Sequence, residues 1–491
     1  MDAVIRMNQL IATLSAADYV SPEPSFPIPN IYLPLWYGFL VLVGVYLERR
    51  THWFTRFNIF TVFLVGMYVR YGIAVPFSDG ILPNSTTQTP ISTGQLLSFY
   101  GALTLAYLGI VAGVEFVYRW NARFPKPSFG APARADARAL IVVAVVVTAM
   151  VALVWVVLPW RDFAVGLFRA GHLAQLAARL QRVTYGNATL YSNSAVTYAG
   201  SFARFAIMPA VLWILYFHRA QSKIVHGLFW VGLAALAVIG FVSGLKTPEL
   251  LLVIGFVAAR LLVAGAPGIF NWKIASGAVV FVFGLVPALY HFQVPTWTYP
   301  QLVIGTLYRF TIEYSRTAQL RFVFYPNLHP FLYGTSSFVV RAVARLVGIR
   351  LSGESPETYI PTHIPSVGPS YGGTWNAGFF ADAWADFGWV GVIVAAVVVG
   401  MTLAIIARWY EDGPKGPLQM GTYTAVCVAS LYLSEVALLT ASWTFGLVSS
   451  FFVYWIVALL SARSRSSAAV EPVPPEPPGP RTPIRKLLDA I

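Results

Sequence analysis

Arginine is the residue type whose number and placement in this chain most clearly indicate chemistry. Residues 293–387 contain six cationic side chains, all arginine and none lysine: Arg309, Arg316, Arg321, Arg341, Arg345 and Arg350. A guanidinium presents a planar fork of donors that matches the oxygens of a phosphate, which an ammonium cannot do. The pattern therefore predicts that this segment binds a phosphate-bearing anion.

Arg321 is the strongest candidate ligand in this set. A helical repeat over residues 302–320 places Arg309, Glu313 and Arg316 on one face, which is also typical of an ordinary ion-paired helix. On the same helix Arg321 lies about 120° from Arg309 and has no acidic residue three or four positions away. We therefore expect Arg321 to be unpaired and available to an anion.

The composition identifies the kind of molecule that must position these residues. Of 491 residues, 57% are hydrophobic and 11% are charged, and the mean hydropathy is +0.66. A typical soluble domain has about 25% charged residues, so the composition excludes a soluble multi-domain enzyme, and its hydrophobicity excludes a disordered chain. We predict an all-α, polytopic integral membrane protein with a large outer loop.

Eleven apolar runs are long enough to cross a bilayer. They lie at residues 30–48, 58–77, 95–117, 139–160, 199–218, 226–244, 248–265, 274–292, 388–408, 419–438 and 440–461. The predicted organisation is an outer N-terminal segment (1–29), spans 1–4 (30–160), an outer amphipathic segment (161–198), spans 5–8 (199–292), the large outer loop with the active site (293–387), spans 9–11 (388–461) and a Pro-rich cytoplasmic tail (462–491).

The net charge of +13 follows from this topology better than from nucleic-acid binding. Lysine and arginine are concentrated in the loops after the odd-numbered spans, and the positive-inside rule then places the N-terminus outside and the C-terminus inside. The chain contains no nucleic-acid-binding motif, so no nucleic-acid partner is expected. The single cysteine, Cys427, lies in an apolar run and is expected to pack there.

Several charged residues lie inside the apolar runs or directly beside them, near their predicted outer ends: Arg70, Arg204, Lys246, Glu249 and Glu435. Such residues are costly in lipid and mark functional sites by default, although snorkelling to the headgroups is the alternative. Their shared depth predicts a site at the outer face, and not the midplane site of a secondary transporter.

Two further segments are predicted amphipathic helices. The first half of 161–198 carries His172, Gln175 and Arg179 on one face, which suits either a lid or a helix resting on lipid headgroups. Residues 336–348 begin with serine and end with glycine, and they carry Arg341 and Arg345 one turn apart. We expect this second helix to be interfacial.

The order of four features resembles that of the O-antigen polymerase family, the oligosaccharide repeat-unit polymerases, over most of the chain. They are a Ser-Gly-Leu-Lys turn (243–246) between two spans, a large outer loop that opens with an Arg-rich helix, a stretch from Arg321 to Gly334, and a closing segment (381–391) that runs directly into a span.

The resemblance implies polymerisation of undecaprenyl-pyrophosphate-linked oligosaccharide repeat units at the outer face of the bacterial cytoplasmic membrane. It implies a glycosyltransferase that works beside membrane lipid and in company with a flippase and a chain-length regulator. The predicted outer segments contain no cluster of histidine, aspartate and glutamate with metal-binding spacing, so we expect the enzyme to need no metal and no cofactor. The leaving pyrophosphate would be neutralised by basic side chains. The expected set is Arg70, Arg204, Lys246, Arg309, Arg316 and Arg321.

The acceptor hydroxyl in such a transfer benefits from a general base. His363 and Asp382 are the expected catalytic residues, with His363 the first choice for the base, and both are chosen over His329 and Asp386. The alternative for His363 is a loop histidine bonded to backbone. For Asp382 the alternative is an acidic residue favoured by the helix dipole.

Two other functions remain open from the sequence. An O-antigen ligase would share the fold and most of the chemistry and differ in its acceptor. A flippase or exporter of lipid-linked glycans belongs to another class, and it would not need an outer loop of this size. Neighbouring genes for glycosyltransferases and a flippase would favour the polymerase.

Overall fold

The computed structural model describes residues 32–73, 93–120, 135–157, 202–243, 247–265, 298–349 and 377–468 apart from 444, with a few short stretches between 276 and 288 and residues 356 and 360. Within these residues the chain is all-helical and contains no extended strand. The predicted outer segment 161–198 lies outside the described residues.

Fourteen α-helices of six residues or more are present in the described part of the chain. In order they are α1 (Tyr32–Thr51), α2 (Ile59–Met67), α3 (Thr93–Trp120), α4 (Ala137–Val157), α5 (Met208–His218), α6 (Lys223–Ser243), α7 (Thr247–Val263), α8 (Tyr299–Phe310), α9 (Ile312–Phe324), α10 (Phe338–Leu346), α11 (Phe379–Glu411), α12 (Pro417–Ser430), α13 (Leu438–Trp443) and α14 (Ser450–Ala468).

The most extensive contact between two of the described helices joins α3 to α11, and small residues allow their backbones to approach. A Cβ added at Gly113 would lie 2.2 Å from the carbonyl oxygen of Val397, and one added at Gly400 would lie 2.3 Å from that of Ile110. Gly109 is four residues before Gly113, so the two glycines share one face of α3. This spacing lets two helix backbones approach closely.

The eleven predicted spans are not supported as drawn. Among the described residues, two helices are long and apolar enough to cross a membrane, Gly94–Trp120 and Phe379–Glu411. Shorter apolar helices cover parts of other predicted spans: Ile59–Ile73, Ala137–Ala149, Phe205–His218, Lys223–Ala237, Leu251–Val263 and Ser450–Arg463. The predicted span 274–292 is described only in short fragments.

The predicted spans 419–438 and 440–461 are wrong as continuous helices. The α-helix ends at Ser430 and continues as one 3₁₀ turn, Leu431–Ser434. The hydroxyls of Ser430 and Ser434 each donate to a backbone carbonyl three residues earlier, at 2.7 Å. Such bonds compete with the helical ladder. The second run is interrupted between α13 and α14, where Gly446 adopts a φ of +99°.

The predicted helix over 302–320 is also interrupted. At Thr311 the backbone leaves the helical region (φ −120°, ψ −75°), and this residue separates α8 from α9. Arg309 therefore belongs to a different helix from Arg316 and Arg321, so the single face proposed for Arg309, Glu313 and Arg316 does not exist.

The predicted helix at 336–348 and the predicted span that begins at residue 388 agree with the structure in part. The amphipathic helix expected at 336–348 is α10, and Gly348 lies beyond its end with a φ of +81°. The span expected from residue 388 instead begins nine residues earlier, at Phe379. Gly388 forms a kink inside α11, with φ 60° and ψ −140°, a conformation that glycine adopts readily.

Candidate active site

Arg321 and Asp382 form a buried ion pair where α9 meets the first turns of α11. The Nε of Arg321 donates to Oδ1 of Asp382 at 3.4 Å, and the two side chains are 0% and 1% exposed. The prediction that Arg321 is unpaired is therefore wrong. The partner is 61 residues away in the chain, beyond the reach of a rule about helical neighbours.

Aromatic packing holds this pair in place. The rings of Phe322 and Trp384 are stacked with centroids 4.4 Å apart, and the Nε1 of Trp384 donates to the carbonyl of Tyr325 at 3.0 Å. Phe99 of α3 packs edge-on against Phe322 at 5.4 Å. The last turn of α9 is thereby fixed against both long helices.

A second buried ion pair joins Arg70 to Glu435. Arg70 lies in a π-helical segment, Tyr68–Ile73, that continues α2, and such segments are frequent at functional sites. Its guanidinium contacts the carboxylate of Glu435 and the hydroxyl of Ser434. The guanidinium carbon also lies 4.4 Å from the ring centre of Tyr314, on α9. One face of α9 thus contributes to both ion pairs, because Tyr314 and Arg321 are two turns apart.

Tyr71 forms hydrogen bonds with backbone groups close to both ion pairs. Its hydroxyl donates to the carbonyl of Ser434 at 2.8 Å and accepts from the N–H of Gly378 at 2.6 Å. Gly378 precedes α11, and its carbonyl accepts from the N–H of Asp382 at 3.3 Å. The hydroxyl is also within electrostatic range of Arg70, Asp382 and Glu435. The two pairs are therefore parts of one buried polar cluster.

Asp386, one turn beyond Asp382, holds the loop before α10. Its Oδ1 accepts from the N–H groups of Gly334 at 3.0 Å and Ser336 at 3.1 Å, and its Oδ2 accepts from the Ser336 hydroxyl at 2.5 Å. These bonds tie the turn at 332–336 to α11. Both oxygens of the Asp386 carboxylate are therefore engaged in holding this turn.

The remaining predicted site residues are described only in part. Arg316 is half-buried on α9. Arg309 lies on α8 and Arg204 in the π-helical segment Ala203–Ile207, and the side chains of both are outside the described residues. Lys246 and His363 fall outside them entirely. The structure therefore brings together Arg70, Arg321 and Asp382 from the predicted set.

Three members of the cluster are absent from the sequence-based prediction: Tyr71, Tyr314 and Ser434. Tyr71 follows Arg70 and Ser434 precedes Glu435, so both adjoin a charge inside an apolar run. That adjacency is a signal that could have identified them. Tyr314 has no comparable signal, because its role depends on how α9 folds back toward Arg70.

Comparisons with known proteins add no assignment to this geometry. The chain matches no protein-family model, and no curated protein or solved structure has significant similarity to it.

Within the described residues, no group of three or more histidine, cysteine, aspartate and glutamate side chains could hold a metal ion. The arrangement itself offers two guanidinium groups, two carboxylates and a tyrosine hydroxyl in one buried cluster.

Proposed function

We propose that this protein is a membrane-embedded glycosyltransferase that polymerises oligosaccharide repeat units carried on undecaprenyl pyrophosphate. The observation that carries the proposal is the meeting of Arg70, Arg321 and Asp382, from three separate parts of the chain, at one buried cluster beside α9. A guanidinium can neutralise a charged leaving group and a carboxylate can accept the proton of an acceptor hydroxyl, so the cluster contains both kinds of group that this transfer uses.

The distribution of apolar side chains supports the membrane part of this proposal. Leu42, Val145, Val231, Val394 and Ile456 lie on five different helices, and each is at least 50% exposed. The charged cluster, in contrast, is buried among the helices. Apolar surface outside and ion pairs inside suit a protein surrounded by lipid, and the glycine-mediated contact between α3 and α11 suits helix packing there.

We assign binding of the leaving group and proton transfer to different residues. Arg321 offers a guanidinium to the pyrophosphate that departs from the donor sugar, and Arg70 offers a second guanidinium next to Tyr314. His363 is the base that we expect to accept the proton of the acceptor hydroxyl, and the carboxylate of Asp382 is the alternative once a phosphate has engaged Arg321. The glycosidic bond to pyrophosphate breaks as the acceptor oxygen bonds to the same sugar carbon.

Extension of lipid-linked repeats by the purified protein tests the proposal. The protein would be reconstituted in vesicles with a single undecaprenyl-pyrophosphate repeat unit and EDTA, and the products separated by length. We expect a ladder of longer chains together with released undecaprenyl pyrophosphate.

Three other results would contradict the proposal in different ways. Transfer only to an added lipid A–core acceptor, with no ladder, would identify a ligase. Movement of the unextended lipid across sealed vesicles would identify a flippase. A ladder that EDTA abolishes and a divalent ion restores would overturn the metal-independent mechanism.

A further inference from the structure

Helix α10 carries an apolar face that the rest of the described chain does not cover. Val343 lies on α10, and Val347 lies in the turn that directly follows its last residue. The N–H of Val347 donates to the carbonyl of Val343 at 3.1 Å, so the two side chains are one turn apart. They are 52% and 66% exposed, and Ile349 follows them, also exposed. Ala344 is buried, and α10 contacts α13 on its protein side. The exposed valines therefore form a separate face that points away from the helical bundle.

The opposite side of α10 is polar and fixed to the protein. Arg341 lies about 200° around the helix from Val343, and its Nε donates to the carbonyl of Thr335 at 2.5 Å. A short helix with apolar residues on one side and arginine on the other is typical of segments that lie in the plane of a lipid interface.

The loop before α10 is attached to α11 at the kink, next to aromatic residues. The ring of Tyr333 contacts that of Phe387 with centroids 6.2 Å apart, and both side chains are exposed. Trp389 is also exposed, and the apolar run of α11 begins there. Tyrosine and tryptophan concentrate where a membrane meets water, so this level of α11 suits the interface.

We propose that the exposed face of α10 lies in the lipid interface beside the kink of α11 and anchors the loop to the membrane. The partner is the boundary between headgroups and acyl chains, because the loop before α10 meets α11 at the exposed aromatic residues Tyr333 and Phe387, where the apolar run of α11 begins. Asp386 ties this anchor to the helix that carries Asp382, so the anchor fixes the depth of the cluster. This inference depends on the membrane part of the proposed function, and not on glycan transfer.

Spin labels on single cysteines test the anchor directly. In a Cys427→Ala background, Val343→Cys and Val347→Cys would be labelled separately, and the protein reconstituted in vesicles of phosphatidylcholine and phosphatidylglycerol. We expect both labels to collide more often with oxygen than with a water-soluble nickel complex. Their depth below the phosphates should be about 5–10 Å. A label at Val394, on the exposed face of α11, is the matched control and should lie deeper.

Three results would overturn the proposal. Nickel-accessible labels at Val343 and Val347, with a lipid-exposed label at Val394, would place α10 in water while leaving membrane embedding intact. Labels shielded from both reagents would identify a protein partner or a second copy of the chain. A nickel-accessible Val394 would refute membrane embedding itself and the anchor with it. A label at Ile349 provides a further position on the face if one valine variant does not fold.

Discussion

Arg70 and Glu435 illustrate what a buried charge requires of its neighbours. Each side chain is about 5% exposed or less, and each offsets the loss of hydration of the other. Removing one partner of a buried pair costs about 3–5 kcal/mol, because the remaining charge is left uncompensated. Replacing both by apolar residues of similar volume is far less costly.

A double-substitution cycle at this pair is the first prediction. Glu435→Leu alone should lower the free energy of unfolding by about 3–5 kcal/mol, and combining it with Arg70→Met should restore most of that loss. Denaturant unfolding of the purified protein in detergent would measure both. If the double variant is as unstable as Glu435→Leu, the two side chains do not depend on each other as the structure indicates.

His363 provides the second prediction, because its role rests on the sequence alone. His363→Ala should reduce turnover by about 10²–10⁴-fold, the usual contribution of a general base, while binding of the donor lipid is retained. Steady-state extension of lipid-linked repeats would measure this, with His329→Ala as the matched loop control. Full activity in His363→Ala combined with loss in Asp382→Asn would assign the base to the carboxylate beside Arg321.

The contact between α3 and α11 positions the two long helices against which α9 packs. A methyl group at Gly113 would overlap the backbone of Val397. Gly113→Ala should therefore separate the two helices and lower the free energy of unfolding by about 1–3 kcal/mol or more. Gly38→Ala, on α1 with nothing within 4 Å of the added methyl, is the matched control and should be neutral or mildly stabilising. Thermal unfolding of both variants would show the difference, and equal stability would argue against close packing at Gly113.

Some of these elements could be predicted from the sequence and others could not. The helix at α10 was predictable because its capping residues and its arginine spacing are local. The interruptions at Thr311 and after Ser430 were not, because apolar periodicity continues through both positions. The partners of Arg70 and Arg321 come from distant parts of the chain, which no local pattern reports. The charges inside apolar runs nevertheless identified Arg70 and Glu435 as unusual.

For the whole molecule, the central structural prediction is the side of the membrane on which each loop lies. Reporter fusions at Gly130, Lys415 and the C-terminal tail should be cytoplasmic, and fusions at Pro90, Tyr185 and Ser355 should be external. The buried cluster would then face the compartment of the large loop. A cytoplasmic Ser355 would separate the loop from an external substrate and contradict the proposed reaction.

The rate at which Arg321→Lys extends lipid-linked repeats tests whether this arginine binds the leaving pyrophosphate. Lysine preserves the positive charge next to Asp382 but not the planar fork that grips a phosphate. We expect the variant to remain folded and to extend chains about 100-fold more slowly than the wild type, the usual cost of removing one preorganised donor. Arg119→Lys, at an exposed arginine paired with Glu115, is the matched control and should be fully active. A folded Arg321→Lys variant that produces the wild-type ladder at the wild-type rate would contradict the claim that Arg321 binds the leaving pyrophosphate.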